Sequence, residues 1–122
     1  MKKHIGVYID HKRAIIIIVR DGDEKAMYVS SGLSQAQGSN NARNVIRDYY
    51  QRVKSLVRDA DELYIFGPAD PALQFVREMC RNILHPRIKR ICVTRGMTEM
   101  SLLRRVRMFL TENSKAAQGR AA

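Results

Sequence analysis

Three aspartates stand where carboxylates could hold metal ions for phosphodiester hydrolysis. Asp10 follows the first apolar run, Asp48 lies within a helical pattern, and Asp70 follows a Gly-Pro break. Carboxylate oxygens are typical ligands of Mg²⁺, and pairs of such ions can hydrolyse nucleic-acid backbones. Each aspartate also has an ordinary structural explanation, as a turn residue, a neighbour of a basic residue or a helix N-cap. A metal-dependent nuclease is therefore an alternative and not the favoured function.

The cysteines and histidines show no spacing typical of a metal site. Cys80 and Cys92 lie in apolar contexts, and His85 falls between them in a different predicted element. Structural zinc sites use closely paired ligands, so we predict buried, reduced thiols and no metal or cofactor. The Gly-Pro-Ala-Asp segment at 67–70 is too short for a phosphate-binding P-loop, and no serine or cysteine stands in a nucleophile motif.

The charge balance favours a polyanionic partner. Twenty-two lysines and arginines against 12 aspartates and glutamates give a formal charge of +10 and a pI near 10.1. Arginine dominates the basic residues of the second half, and its guanidinium suits bidentate contacts to phosphate. General solubility is the alternative explanation. The longest apolar run, residues 14–19, is far shorter than the roughly 20 residues of a membrane-spanning helix, so we expect a cytoplasmic protein without a membrane partner.

The apolar patterns predict a single domain over residues 1–111. Two β-branched runs predict the first two strands, and an alternating pattern after a turn at Asp21-Gly22-Asp23 predicts a third. An exposed polar loop over residues 31–40 and an amphipathic helix are predicted next. A buried strand, a helix capped by Asp70, another buried strand and a helix capped by Thr98 follow. The predicted bounds are 4–10, 13–20 and 24–30 for the first strands, 63–66 and 88–94 for the later strands, and 41–58, 70–84 and 98–110 for the helices. Residues 112–122 are small and polar and are predicted to be disordered.

Two groups of basic residues are candidates for RNA contact. The first forms one stripe on the first helix, at steps of four, seven and four residues: Arg43, Arg47, Lys54 and Arg58. The second surrounds the last strand and the last helix: Arg87, Lys89, Arg90, Arg95, Arg104 and Arg105, with Arg107 beside them. Because most aromatic residues fall at core positions, we expect binding through phosphates and shape, with no DNA specificity.

The element order βββαβαβα predicts an α/β fold of the RNase H-like class. Three antiparallel strands come first, and right-handed crossovers then add two parallel strands beside the first one. The result would be a three-layer fold with a mixed five-stranded sheet and three helices.

Three separated motifs carry a resemblance to a known family. They are Tyr-Ile-Asp-His-Lys-Arg-Ala at 8–14, Ala-Asp-Glu-Leu-Tyr-Ile-Phe-Gly-Pro at 60–68 followed by Phe75, and Met97-Thr98. Together they resemble the bacterial relatives of the middle domain of archaeal and eukaryotic peptide-chain release factors and of Pelota, a ribosome-rescue factor. The resemblance spans about residues 6–110, and it implies the RNase H-like fold of translational-machinery components.

The resemblance also directs attention to the loop after the third strand. In release factors this loop carries Gly-Gly-Gln, which promotes hydrolysis of peptidyl-tRNA. Here it reads Gln-Ala-Gln-Gly-Ser at 35–39, so Gln37 and Gly38 are candidates for a degenerate remnant without consecutive glycines. Pelota-like domains also lack the tripeptide and approach the ribosome and tRNA. The codon-reading and C-terminal domains have no counterpart here, so we expect action alone, as a homo-oligomer or with separate partner domains.

The sequence therefore predicts a non-catalytic RNA-binding or ribosome-binding domain related to translation termination, ribosome rescue or hibernation. The expected partner is the ribosome, its rRNA or tRNA, with the loop over residues 31–40 as the inserted tip and Arg43 and Arg47 as first contacts. Two alternatives stay open. One is a hydrolase, acting on peptidyl-tRNA through Gln37 or as a nuclease through Asp10, Asp48 and Asp70. The other is a protein-interaction module.

Overall fold

The computed structural model describes residues 2–32, 42–81 and 87–121, with side chains described for 2–32, 43–81 and 87–111. The elements within these ranges follow the predicted order. They are β1 His4–Ile9, β2 Arg13–Arg20, β3 Asp23–Ser30, α1 Ala42–Val57, β4 Glu62–Gly67, α2 Ala69–Cys80, β5 Ile88–Val93 and α3 Glu99–Ala121. Most of the predicted loop over 31–40, including Gln37 and Gly38, lies outside the described residues.

The strands form one mixed sheet in the order β3-β2-β1-β4-β5. β1 pairs antiparallel with β2 and parallel with β4, while β3 and β5 extend the two sides. The β2–β3 connection is a two-residue turn in which Asp21 and Gly22 both have positive φ, 55° and 85°. These angles match a type I′ turn, whose twist suits a hairpin. The predicted α/β fold and strand arrangement are confirmed.

Helices cover both faces of the sheet and create two cores. On one face, alternate residues of β1 and β4 pack with Tyr49 and Val53 of α1 and Phe75 of α2. On the other face, the intervening residues of β4 pack with Val106 and Phe109 of α3. Apart from His4 and Glu62 at their first positions, the central strands β1 and β4 carry no charged residue, because both of their faces are buried. The outer surface of the α1–α2 layer therefore faces away from that of α3.

Gly67 allows β4 to end close against β1. Its φ is 152°, and a Cβ at this position would overlap the backbone carbonyl oxygen of Ile9. Only glycine fits this combination of backbone angle and close approach. The carboxyl ends of β1 and β4 and the start of α2 consequently meet at one end of the sheet.

β5 is an exposed edge strand, so the prediction of a buried strand is wrong. Ile91 and Val93 are 43% and 65% exposed, because β5 pairs with β4 alone and forms the end of the sheet. On the neighbouring α2, Leu73 and Cys80 are also exposed, although their helical spacing predicts burial. Both cysteines are free thiols, and Cys92 is half-buried. The apolar pattern does not reveal that the sheet ends at β5.

Several element ends also differ from their predictions. α2 begins at Ala69 with Pro68 in the N-cap position, so Asp70 lies in the first turn and does not cap the helix. A carboxylate there still interacts favourably with the helix dipole. α2 ends at Cys80, and the predicted end near residue 84 lies outside the described residues. Ser31, predicted to begin an exposed loop, is buried, and its backbone N–H donates to the carbonyl oxygen of Lys12 at 2.9 Å.

The last helix begins as predicted but ends later. The Thr98 hydroxyl accepts a bond from the backbone N–H of Ser101 at 3.1 Å, and the Ser101 hydroxyl accepts one from the N–H of Thr98 at 2.8 Å. This reciprocal arrangement is a capping box with serine in the third position. α3 continues to Ala121, past the predicted end at residue 110, through a segment containing strong helix formers such as alanine, lysine and glutamine. The expected disorder of residues 112–122 stays a prediction.

Candidate nucleic-acid interface

The basic residues proposed for RNA contact divide between opposite faces of the molecule. Arg43 and Arg47 lie on α1, in the layer that covers one face of the sheet. Arg90 and Arg105 place their guanidinium groups over Phe109 of α3, on the other face. Because the sheet lies between these layers, the two groups do not form one continuous surface.

The α1 side contains a groove that gathers arginines from two helices. The groove, which we name the α1–α2 groove, has a volume of about 230 Å³ and is open to solvent. It is lined by Arg43, Ile46, Arg47 and Tyr50 of α1 and by Gln74, Arg77, Glu78 and Arg81 at α2. All four arginines are exposed. Four guanidinium groups around one carboxylate leave the groove with an excess of positive charge.

A polar network fixes the base of this groove. The Tyr50 hydroxyl donates to Gln74 Oε1 at 3.4 Å, which joins α1 to α2. Glu78 accepts from Gln51 Nε2 and lies 3.5 Å from Arg81. Lys54 donates from Nζ to the backbone carbonyl oxygen of Glu78 at 3.1 Å. Lys54 therefore helps to hold the two helices together.

Arg77 and Arg81 belong to this groove but were not among the sequence candidates. Their spacing of four residues places both on one side of α2, as the same spacing does for Arg43 and Arg47 on α1. That periodicity was readable from the sequence. What the sequence does not state is that these sides of α1 and α2 meet.

On the α3 side, much of the predicted patch makes contacts within the fold. The Arg90 guanidinium lies 4.6 Å from the centre of the Phe109 ring, and that of Arg105 lies 5.7 Å from Phe66. Such cation–π contacts cover the edge of the core. Arg87 donates to the carbonyl oxygen of Ala60 at 3.2 Å. Arg87, Arg90 and Arg105 therefore have structural roles within the fold that do not depend on contact with RNA.

The remaining basic candidates are exposed in separate places. Arg107 forms an ion pair with Glu24 of β3. Arg58, Lys89, Arg95 and Arg104 are exposed on the turn after α1, on β5, on the turn after β5 and on α3, respectively. None of the four lines the α1–α2 groove.

Asp10 is committed to the turn after β1. Its Oδ1 accepts from the backbone N–H groups of Lys12 and Arg13, both at 2.8 Å, and its Oδ2 accepts from the Tyr8 hydroxyl at 2.9 Å. Burial opposes the charge on Asp10, but these bonds outweigh burial and lower the pKa of its carboxyl. Burial, followed by the bond to Asp10, raises the pKa of Tyr8 to about 12.

The three aspartates do not form a metal centre in the described structure. Asp48 and Asp70 are exposed on α1 and α2. Within the described ranges, no group of three or more histidine, cysteine, aspartate or glutamate side chains lies close enough to hold a metal ion.

A second groove, of about 440 Å³, lies between β3 and α1. It is lined by Tyr28, Val29, Ser30, Arg52, Ser55 and Leu56. Tyr28 is 56% exposed and its hydroxyl donates to Glu99, so it is an aromatic side chain available at the surface. Arg52 donates to the carbonyl oxygen of Ser30 at 2.9 Å. With one guanidinium, already bonded to the backbone, this groove is less suited to phosphate than the α1–α2 groove.

Comparison with known proteins shows similarity at the level of structure. No family model and no curated protein matches the chain. Pelota from Thermoplasma acidophilum is similar with a TM-score of 0.62 and 15% identity, over 82% of this chain and 30% of Pelota. Pelota from Archaeoglobus fulgidus is similar with a TM-score of 0.56 and 12% identity, over 98% of this chain and 37% of that Pelota chain. The archaeal translation termination factor aRF1 is similar with a TM-score of 0.50 and 10% identity, over 98% of this chain and 41% of aRF1.

This chain has the fold of a domain of Pelota and of aRF1. At 10% to 15% identity the likeness shows the fold and nothing finer. The chain corresponds to 30% to 41% of the length of these three proteins. No helix within the described ranges is both long and apolar enough to cross a membrane.

Proposed function

We propose that this chain is a non-catalytic RNA-binding domain that acts at the ribosome, in termination, rescue or hibernation. The observation that carries the proposal is the exposure of Arg43 and Arg47 in an arginine-lined groove, on a domain with the fold found in Pelota and aRF1. A shared fold does not fix function, so the charge of the site provides the second support. With a formal charge of +10, the domain attracts polyanions at long range. Its partner would be rRNA or tRNA, in the cytoplasm.

The non-catalytic part of the proposal has its own support. The carboxylate of Asp10 accepts three hydrogen bonds that shape a turn, which is a sufficient reason for an aspartate at this position. The loop sequence at 35–39 has no consecutive Gly-Gly-Gln. Binding thus explains the basic surface without a reaction.

Co-sedimentation with ribosomes and separated subunits across a salt series tests this function. We expect wild-type protein to pellet with ribosomes at low salt and to be released as salt rises, because phosphate contacts displace counterions. Arg43→Ala/Arg47→Ala should weaken the affinity for ribosomes by roughly tenfold or more, which corresponds to a loss of about 1.4 kcal/mol or more of binding free energy.

The matched control is Arg20→Ala/Lys25→Ala, which also removes two positive charges. Arg20 and Lys25 are exposed at the β2–β3 hairpin and line neither groove. At about 0.15 M ionic strength, where salt screens charges outside the contact, the control should bind nearly as well as wild type. Wild-type protein that stays in the supernatant at low salt would exclude the ribosomal function.

A further inference from the structure

We infer that the α1–α2 groove binds the phosphodiester backbone of an RNA strand between two pairs of arginines, Arg43 and Arg47 on one side and Arg77 and Arg81 on the other. This inference deepens the proposed function and rests on it. It adds α2 to the binding surface and makes the groove one two-sided site.

The first step of the argument is the spacing of the arginines. Residues four apart on a helix place their Cβ atoms about 5–6 Å from each other on the same side. Arg81 directly follows the last residue of α2 and keeps helical backbone angles, φ −63° and ψ −44°, so the spacing holds for both pairs. Each helix therefore presents two guanidinium groups in a row along the groove.

The second step is the chemistry of the side chains. Guanidinium groups donate two parallel hydrogen bonds to phosphate oxygens, and they do so more readily than ammonium groups because their geometry matches. Glu78 is the single carboxylate of the lining, and its contacts with Gln51 and Arg81 keep it within the polar network. The network holds the two helices in place before a ligand arrives, which reduces the entropy lost on binding.

The third step is the shape of the groove. Enclosed sites for small ligands usually have volumes of about 300–1,000 Å³ and surround most of the ligand. The α1–α2 groove is smaller, at about 230 Å³, and open to solvent. An open channel with charge on both sides suits a backbone that enters at one end and leaves at the other. A polymer also gains affinity because several adjacent phosphates contact the arginines at once, whereas a single phosphate makes only one such contact.

A double-mutant cycle tests whether the two pairs form one site. The variants are Arg43→Ala/Arg47→Ala, Arg77→Ala/Arg81→Ala and the combination of all four, with Arg20→Ala/Lys25→Ala as the charge-matched control. Affinity for a labelled single-stranded RNA is measured by fluorescence anisotropy across a salt series. Thermal unfolding confirms that each variant is folded, which we expect because all four arginines are exposed.

We expect each pair of substitutions in the groove to weaken binding by roughly tenfold to a hundredfold. Each pair should also reduce the slope of log affinity against log salt by about two. If one strand contacts both pairs, each pair of substitutions alone should cause a large loss, and the fourfold variant should lose at least as much as the weaker of the two. A loss of about twofold or less for each pair, with a large loss only for the fourfold variant, would show two independent sites and overturn the single site.

Further outcomes separate this inference from the proposed function. If wild-type protein binds RNA or ribosomes and the Arg77→Ala/Arg81→Ala variant matches the control, the groove assignment fails while the ribosomal function stands. If wild-type protein binds neither, both fail. If a nucleoside monophosphate competes as well as RNA at equal phosphate concentration, the groove is a site for free phosphate esters. If an acidic polypeptide competes as well as RNA, the assignment to RNA is wrong.

Discussion

Glu62 shows how a single buried carboxylate ties the start of β4 to the start of β1. Its Oε2 accepts from the Tyr64 hydroxyl at 3.0 Å and lies 3.0 Å from His4 Nδ1, and its Oε1 lies 3.5 Å from Lys2 Nζ. Burial disfavours the charged form, but the hydrogen bond from Tyr64 and the electrostatic attraction of His4 and Lys2 outweigh burial and lower the pKa of Glu62. Its ionised form is therefore stabilised by folding.

The lowered pKa of Glu62 predicts how the stability of the fold changes at acidic pH. A carboxylate whose pKa is depressed in the folded state stabilises the protein above its ordinary pKa, and loses this contribution as the pH falls through the folded pKa. Glu62→Gln should lower the free energy of unfolding by about 1–3 kcal/mol at neutral pH. The difference in the free energy of unfolding between Glu62→Gln and wild type should shrink as the pH falls below 4.5, the ordinary pKa of a glutamate side chain. Urea unfolding at a series of pH values measures this difference, and Asp23→Asn is the control at an exposed carboxylate. A difference between Glu62→Gln and wild type that does not change with pH would contradict the prediction.

At the scale of elements, the end of β4 depends on Gly67. Its φ of 152° and its contact with the Ile9 backbone exclude a side chain. We expect Gly67→Ala to destabilise the fold by about 1–3 kcal/mol or more, through backbone strain and the displacement of β4 from β1. Gly22→Asn is the control, because Gly22 also has positive φ but a Cβ there meets no atom within 4 Å, and asparagine tolerates that backbone region. Equal losses in urea unfolding would show that the contact with Ile9 is unimportant.

At the scale of the whole molecule, the sheet separates two basic faces that differ in their contacts. Arg90 and Arg105 cover aromatic rings of the core on the α3 side, whereas the α1–α2 groove presents four exposed arginines. All basic residues contribute to the long-range field at low salt, but only those in contact with RNA keep their effect when salt screens the field. The Debye length falls from about 30 Å at 0.01 M to about 8 Å at 0.15 M ionic strength.

Ionic strength should therefore distinguish the α1–α2 groove from basic residues that lie outside it. We expect Lys89→Ala/Arg104→Ala to weaken RNA binding at about 0.01 M salt and to have little effect at about 0.15 M. The Arg77→Ala/Arg81→Ala variant should weaken binding at both. Fluorescence anisotropy under the two conditions measures the difference. A large loss for Lys89→Ala/Arg104→Ala at the higher salt would place direct contacts on β5 and α3.

The elements were largely predictable because they depend on local patterns. Apolar, β-branched runs marked β1 and β2, and alternation of side chains marked β3. The Asp21-Gly22 pair marked the hairpin turn, and Thr98 marked the start of α3. The predictions failed where a neighbour decides the outcome. Burial of Ile91 would require a layer that covers its face of β5, and the N-cap lies at Pro68, two residues before the predicted Asp70.

The sequence by itself determined the order of the elements, the mixed sheet and the excess of positive charge, since periodicity, turn residues and ionisable groups can be read along the chain. It also contained both arginine pairs as spacings of four residues. Only the tertiary structure decided that α1 and α2 place those pairs along one groove, while Arg90 and Arg105 lie on the opposite side. The physical reason is that helix periodicity fixes which residues share a side of one helix. Which sides of two helices meet is decided by how both pack on the sheet.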